Sequence, residues 1–285
     1  MSARAIFTAD DFGLDAAVNE AVERAHRDGV LTSASLMVTA PAAADAVARA
    51  KRMPRLAVGL HLVLVQGVPA ISADEAAPLL GQNGAFLDSP AQAGLRYFFS
   101  LSARRALAAE IRAQFEAFRR TGLPLDHVDG HTHLHIHPTI FSLLLGIGRE
   151  YGMQAMRVPY ENPKASALAA GKGRLARAAI SGAFAPWAGS MRRRLTRAGI
   201  VSNDALFGFH DTGAMTEDLV SRQLETLTPN SVTEFYFHPA TRKSDILQQQ
   251  MPAYRNVEEF EALGSPRLRE TLQRLDIRPV AFRDL

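Results

Sequence analysis

The chain of 285 residues has no cysteine, which excludes disulfides, thiolate metal ligands and cysteine nucleophiles and leaves any metal to His, Asp and Glu. It also lacks a run of ~18 apolar residues, the length a membrane-spanning helix requires. Met1-Ser2-Ala3-Arg4-Ala5-Ile6-Phe7 meets Asp10-Asp11 before an apolar leader could form, so a cytoplasmic location is expected. There is no Gly-x-Ser-x-Gly elbow, phosphate-binding P-loop or Gly-x-Gly-x-x-Gly turn, which removes support for serine hydrolase, nucleotide hydrolase and dinucleotide oxidoreductase readings. Tryptophan occurs once and no aromatic platform interleaves with basic residues, so no nucleic-acid partner is expected. The net charge is only +3, with the basic excess concentrated between Lys172 and Arg197.

What remains is an ordinary globular composition, 47% hydrophobic and 21% charged, with material for a sizeable core. Ala5-Ile6-Phe7-Thr8-Ala9 reads as a buried strand ending at Asp10-Asp11-Phe12-Gly13. Val18, Ala21, Val22 and Ala25 follow at helical spacing, with Gly29 as the stop. Residues 33–38 and 56–64 read as strands and 42–52 as a helix. Residues 66–100, punctuated by Pro69, Pro78, Gly81, Gly84 and Pro90, read as irregular. Helices are expected at 107–120, 140–151, 216–227 and 256–275, and strands at 154–158, 206–209, 233–237 and 280–282. Strand and helix alternate throughout. The expected fold is α/β, a mostly parallel sheet or barrel, with residues 1–285 as one domain.

The densest chemistry lies in His127-Val128-Asp129-Gly130-His131-Thr132-His133-Leu134-His135-Ile136-His137-Pro138, which holds five of the nine histidines. An extended strand would place His127, Asp129, His131, His133, His135 and His137 on one face and the mostly apolar intervening residues on the other. At about 3.3 Å per residue the stretch is too long for one ion to use every imidazole. Other candidates recur at strand ends: Asp10 and Asp11, His61 within an apolar run, and His238 after Phe235-Tyr236-Phe237. Capping the next helix would account for one of the two aspartates but not for an adjacent pair. In a parallel barrel, C-terminal strand ends share one rim, so these residues converge. Asp plus two His suits a hydrolytic divalent ion, which lowers the pKa of a bound water from ~15.7 towards about 7. A second carboxylate can accept a proton and a separate histidine can supply one.

Thr8-Ala9-Asp10-Asp11-Phe12-Gly13-Leu14, Ser35-Leu36-Met37-Val38, Val58-Gly59-Leu60-His61-Leu62, the histidine stretch and Phe237-His238-Pro239 together resemble the YdjC/ChbG carbohydrate deacetylases. The resemblance runs over nearly the whole chain. It implies a distorted (β/α) barrel related to polysaccharide deacetylases and removal of acetyl groups from N-acetylated sugars with one divalent ion. Zinc or magnesium is expected, with manganese or cobalt as alternatives. By motif, Asp11, His61 and His131 would hold the metal, Asp10 would be the general base, and His238 the general acid or a substrate-orienting residue. His133, His135, Arg157 and Glu161 would meet substrate, and Asp129 would orient His131.

The family's usual Asp-Ser-His-His-His-Val-His is here Asp129-Gly130-His131-Thr132-His133-Leu134-His135, with Thr132 expected on the core face. With Arg157-Val158-Pro159-Tyr160-Glu161 and the Arg-rich insert at about 164–200, the chain looks more like the hopanoid-biosynthesis-associated HpnK branch. That implies an N-acetylglucosaminyl hopanoid lipid as substrate. A soluble chitobiose-type sugar is the alternative, and a phosphoesterase built from the same ligands another. Trp187 and Arg192-Arg193-Arg194 would then touch the membrane surface peripherally (residues 187–194), and a homodimer is compatible.

Overall fold

A computed structural model describes residues 2–285. The first half runs β1 (Ala3–Phe12), α1 (Ala16–Asp28), β2 (Ser33–Leu36), α2 (Ala43–Ala50), β3 (Ala57–Leu62), α3 (Ala73–Ala76), α4 (Pro90–Phe99), α5 (Leu101–Arg120), β4 (Val128–Gly130) and α6 (Pro138–Glu150). The second runs α7 (Pro163–Ala170), α8 (Arg174–Arg197), β5 (Ala205–Phe207), α9 (Glu217–Leu224), β6 (Val232–Phe237), α10 (Asp245–Gln250), α11 (Asn256–Gly264), α12 (Pro266–Arg274) and β7 (Ile277–Pro279).

The strands form one parallel sheet in the order β4-β3-β2-β1-β6-β5, with β7 beside the start of β1. Parallel pairing requires helix-length crossovers and apolar cover on both faces. Accordingly β1 is almost wholly buried, and α1 turns Val18, Ala21, Val22 and Ala25 inward. Residues 154–160 bridge the two sheet edges. On one side Val128 donates its N–H to the Ala155 carbonyl (3.0 Å) and Arg157 donates to Val128 (3.1 Å). On the other, Met156 donates to Val201 (3.0 Å) and Leu206 to Tyr160 (2.9 Å). The Asn203 side chain adds bonds to both the N–H and the carbonyl of Val158. The result is a distorted (β/α) barrel, as expected. Its closing segment is irregular, and Pro159, which has no N–H, interrupts the ladder.

Several expectations change. The histidine stretch is a strand only from Val128 to Gly130. His131–Ile136 then coils into a short 3-10 turn in which Thr132 and His133 have φ of 52° and 57°. Two left-handed residues cannot continue a strand, so period two ends there and Thr132 is exposed rather than on a core face. Residues 66–100 are not wholly irregular. Pro90 opens α4, where its missing N–H costs nothing, and Ser89 caps the helix by accepting from Gln92 (3.3 Å). Residues 256–275 split at Ser265-Pro266. The last strand is β7, while Phe282–Asp284 is a 3-10 turn. Among the described residues, no helix is long and apolar enough to cross a membrane.

Candidate active site

β1 delivers two carboxylates to the C-terminal rim of the barrel. In a regular strand Asp10 and Asp11 would face opposite ways. Here the β1–β2 register shifts between Ala9 and Phe12, and Asp11 adopts φ of 59°, which aspartate tolerates better than most residues. The kink brings both side chains within reach of His61 on β3. Neither caps α1, because Asp15 does so by accepting from Ala17 (2.7 Å).

Asp11, His61 and His131 are buried and offer one ligand atom each, all within 4.8 Å of one another. Asp11 Oδ1 lies 2.9 Å from His131 Nδ1 and 3.2 Å from His61 Nε2. Asp11 Oδ2 is buried with no hydrogen-bond partner. A carboxylate with an uncommitted oxygen beside two imidazoles is a donor set that fits a divalent cation. A second grouping, Asp10, His61 and Asp129, fits less well because Asp129 is already engaged. Its Oδ1 accepts from His61 Nδ1 (2.8 Å), and its Oδ2 accepts from Ser35 (2.8 Å) and pairs with Arg157 (2.8 Å).

Asp129 thus orients His61 rather than His131. The β3–β4 register sets His61 directly opposite Asp129, whereas His131 lies past the end of the strand with its Nε2 3.2 Å from Gln66 Oε1. The Asp129 bond fixes the proton on His61 Nδ1 and leaves Nε2 facing Asp11. Burial opposes charge on this imidazole, but Asp129 and Asp11 outweigh it and raise its pKa to about 10. Burial likewise opposes charge on Asp11, yet His131 and His61 hold its carboxyl well below the usual range.

Arg157 sits beneath the rim, fully buried, and gathers three carboxylates. It binds Asp10 through two parallel bonds (2.7 and 2.8 Å), Glu234 at 2.8 Å and Asp129 at 2.8 Å. Its guanidinium faces this acidic cluster, and Arg157 is not among the residues that line the pocket over the site. Glu161 is displaced from the pocket too. It accepts from Ser166 and from the His210 N–H, near Arg177, and so ties α7 and α8 to the barrel. His135 is fully buried, with Nε2 3.2 Å from the Arg157 carbonyl, so it underpins the site instead of lining it. His133 does line the pocket, its ring against Phe209 (5.7 Å) and Tyr236 (5.0 Å).

The pocket over this floor has a volume of about 280 Å³. Asp10, His61, His131 and His238 contribute polar edges, and Phe209, Tyr236 and Tyr254 supply aromatic surface. His238 follows β6, with Nε2 4.0 Å from Asp11 Oδ2 and Nδ1 unpartnered. Burial lowers its pKa, despite Asp11 and Asp10, and favours the neutral ring. Gln66, Thr212 and the three aromatic residues carry no motif. Tyr236 alone had a signal, standing two residues before His238 on the same strand face.

The expected membrane-facing run is largely turned inward. Trp187 donates its indole N–H to the Ile136 carbonyl (2.9 Å) and packs edge-on against Phe141. Arg194 lies over Phe141 and Arg192 over Tyr160, leaving Arg193 exposed.

A parallel barrel with acidic and imidazole groups converging on its C-terminal rim defines an enzyme of the α/β barrel class. The chain belongs to the YdjC-like family, whose model (YdjC-like protein) matches residues 4–274. It is 30% identical over 281 residues to a carbohydrate deacetylase of Brevibacillus brevis, covering 98% of each chain. It is 39% identical over 148 residues to a carbohydrate deacetylase of Vibrio vulnificus, covering 52% of this chain and 56% of that one. In fold it matches a candidate cellobiose-phosphate cleavage protein of Enterococcus faecalis, with a TM-score of 0.77 at 22% identity, covering 100% of this chain and 99% of the other.

Proposed function

We propose that the chain is a metal-dependent carbohydrate N-deacetylase, one domain over residues 1–285 with a helical insert at 164–200. The observation that carries the reading is the buried Asp11, His61 and His131 triad with the Arg157-held Asp10 beside it at the floor of an aromatic pocket. The full-length similarity to a named carbohydrate deacetylase agrees with it. Asp11, His61 and His131 would hold one divalent ion, and two imidazoles favour zinc or another borderline ion over magnesium. When bound, that ion supplies Lewis acidity toward a carbonyl and a lowered pKa for water.

The chain's own groups do the rest. Arg157 fixes the plane of the Asp10 carboxylate. A carboxylate offers about four lone-pair sites, so two Arg157 bonds leave room to accept a proton from the attacking water. His238, its neutral ring 4.0 Å from Asp11 Oδ2, would first take up a proton from solvent and then pass it to the departing nitrogen. Water adds to the acetamide carbonyl carbon, the C–N bond breaks, and the products are acetate and a free amino sugar. Tyr236 and Phe209 offer flat apolar faces to the sugar ring, and His133 borders it.

The proposed substrate is an N-acetylglucosaminyl hopanoid lipid. A soluble chitobiose-type sugar is the second reading, equally compatible with relatives named carbohydrate deacetylases. Incubating metal-loaded enzyme with each and weighing the products by mass spectrometry separates them. Loss of one acetyl group from the lipid alone supports the first reading, and loss from the soluble sugar alone supports the second. Phosphate release from phosphoesters without any acetyl loss would contradict both.

A further inference from the structure

Beside the catalytic pocket lies an open groove of about 710 Å³, walled by Leu95, Phe98 and Phe99 of α4 and by Leu134 and Ile136 of the turn after β4. α4 is apolar on two sides. Ala93 and Tyr97 face the core, where the Tyr97 hydroxyl donates to the Leu64 carbonyl (2.7 Å). Leu95, Phe98 and Phe99 are nonetheless 63%, 43% and 76% exposed. Single exposed apolar residues are common, but a contiguous wall of them lining a concavity marks a binding surface. Thr132 and His133, the two left-handed residues, line both the groove and the pocket. The two spaces therefore meet across one short stretch of backbone.

We propose that this groove binds the apolar aglycone of an amphiphilic N-acetylated glycoside while the sugar occupies the pocket next to it. The proposal rests on the deacetylase reading and adds a location to it. Adjacency decides the occupant. A bilayer or a second copy of the chain needs an apolar face but no nearness to the acid–imidazole centre, whereas an aglycone attached to a pocket-bound sugar must lie directly beside it. A purely soluble oligosaccharide would meet few hydrogen-bonding groups among these side chains.

The test uses the full chain with metal supplied and methyl, hexyl and octyl glycosides of N-acetylglucosamine, each below its micelle concentration. Burial of about two methylenes suffices for a tenfold gain, so kcat/KM is expected to rise at least about tenfold from methyl to octyl. In the Leu95→Asn/Phe98→Asn double variant, whose changed side chains are exposed, the octyl-to-methyl ratio is expected to fall to within about twofold of one. Titrating the deacetylated octyl and methyl amines onto both proteins reads the same preference without turnover. Failure of the deacetylase reading, seen as no acetate from any glycoside, is thereby kept distinct from failure of the groove. Equal affinity of the wild type for methyl and octyl ligands overturns the proposal, as does a chain-length preference that survives in the variant. Loss of vesicle binding or of self-association in a variant that keeps its chain-length preference assigns the surface to a membrane or a second copy, and overturns it too.

Discussion

Arg157 is a single cation shared by three buried carboxylates beneath the rim. It is fully buried among Asp10, Asp129 and Glu234, and removing one partner of such a cluster strands the others without solvent. Arg157→Ala is expected to lower unfolding stability by about 3–5 kcal/mol, read from denaturant titration. A loss under ~1 kcal/mol would mean that the carboxylates find other partners. Glu161 tests a different quantity. Burial lifts its carboxyl pKa to about 7, above its ordinary 4.5, so the folded state holds the proton more tightly than the unfolded one. Its contribution to stability is therefore greatest below pH ~4.5 and is lost as pH rises towards 7. Glu161→Gln should flatten the decline in Tm across pH 5–7, and an unchanged slope would show that another group titrates there. At this scale residue types at strand ends marked Asp11, His61 and His131 as candidates, the family motif singled them out as a triad, and the fold brings them together. The buried pairing of Arg157 was not legible, because its partners Asp10 and Glu234 lie 147 and 77 residues away, and no local pattern records them.

At the scale of elements, the histidine stretch shows where periodicity misleads. Alternating polar and apolar residues suit a strand, yet Thr132 and His133 turn left-handed and send the chain into α6. The turn lifts His133 towards the pocket, drops His135 beneath it, and leaves His131 alone to join Asp11 and His61. The strands β1, β2, β3 and β6, by contrast, were readable as apolar runs, whereas the short β7 lay just before the stretch expected at 280–282. Gly59 on β3 marks a packing constraint that no strand pattern revealed. A Cβ there would fall into the ring of His127, whose Nε2 meets Ser35 (3.0 Å), itself bonded to Asp129. Gly59→Ala is expected to cost about 1–3 kcal/mol of stability and to disturb the support under His61. Thermal unfolding together with metal affinity would show it, and a variant with wild-type values for both would remove this link.

For the whole molecule, strand–helix alternation revealed a parallel α/β barrel, and the shared rim followed from topology. Residues 154–158 read as a strand, but their part in closing the barrel did not show, because the bonds come from β4 on one side and from residues around β5 on the other. The account stands or falls on the rim triad. The decisive measurement is metal content together with acetate release, on an N-acetylated glycoside, for the wild type, Asp11→Ala and His61→Ala. One divalent ion per wild-type chain is expected, with both variants losing the ion and at least about a hundredfold in rate, a loss of ~2.7 kcal/mol or more in transition-state stabilisation. A metal-free Asp11→Ala or His61→Ala chain that releases acetate at the wild-type rate would contradict it.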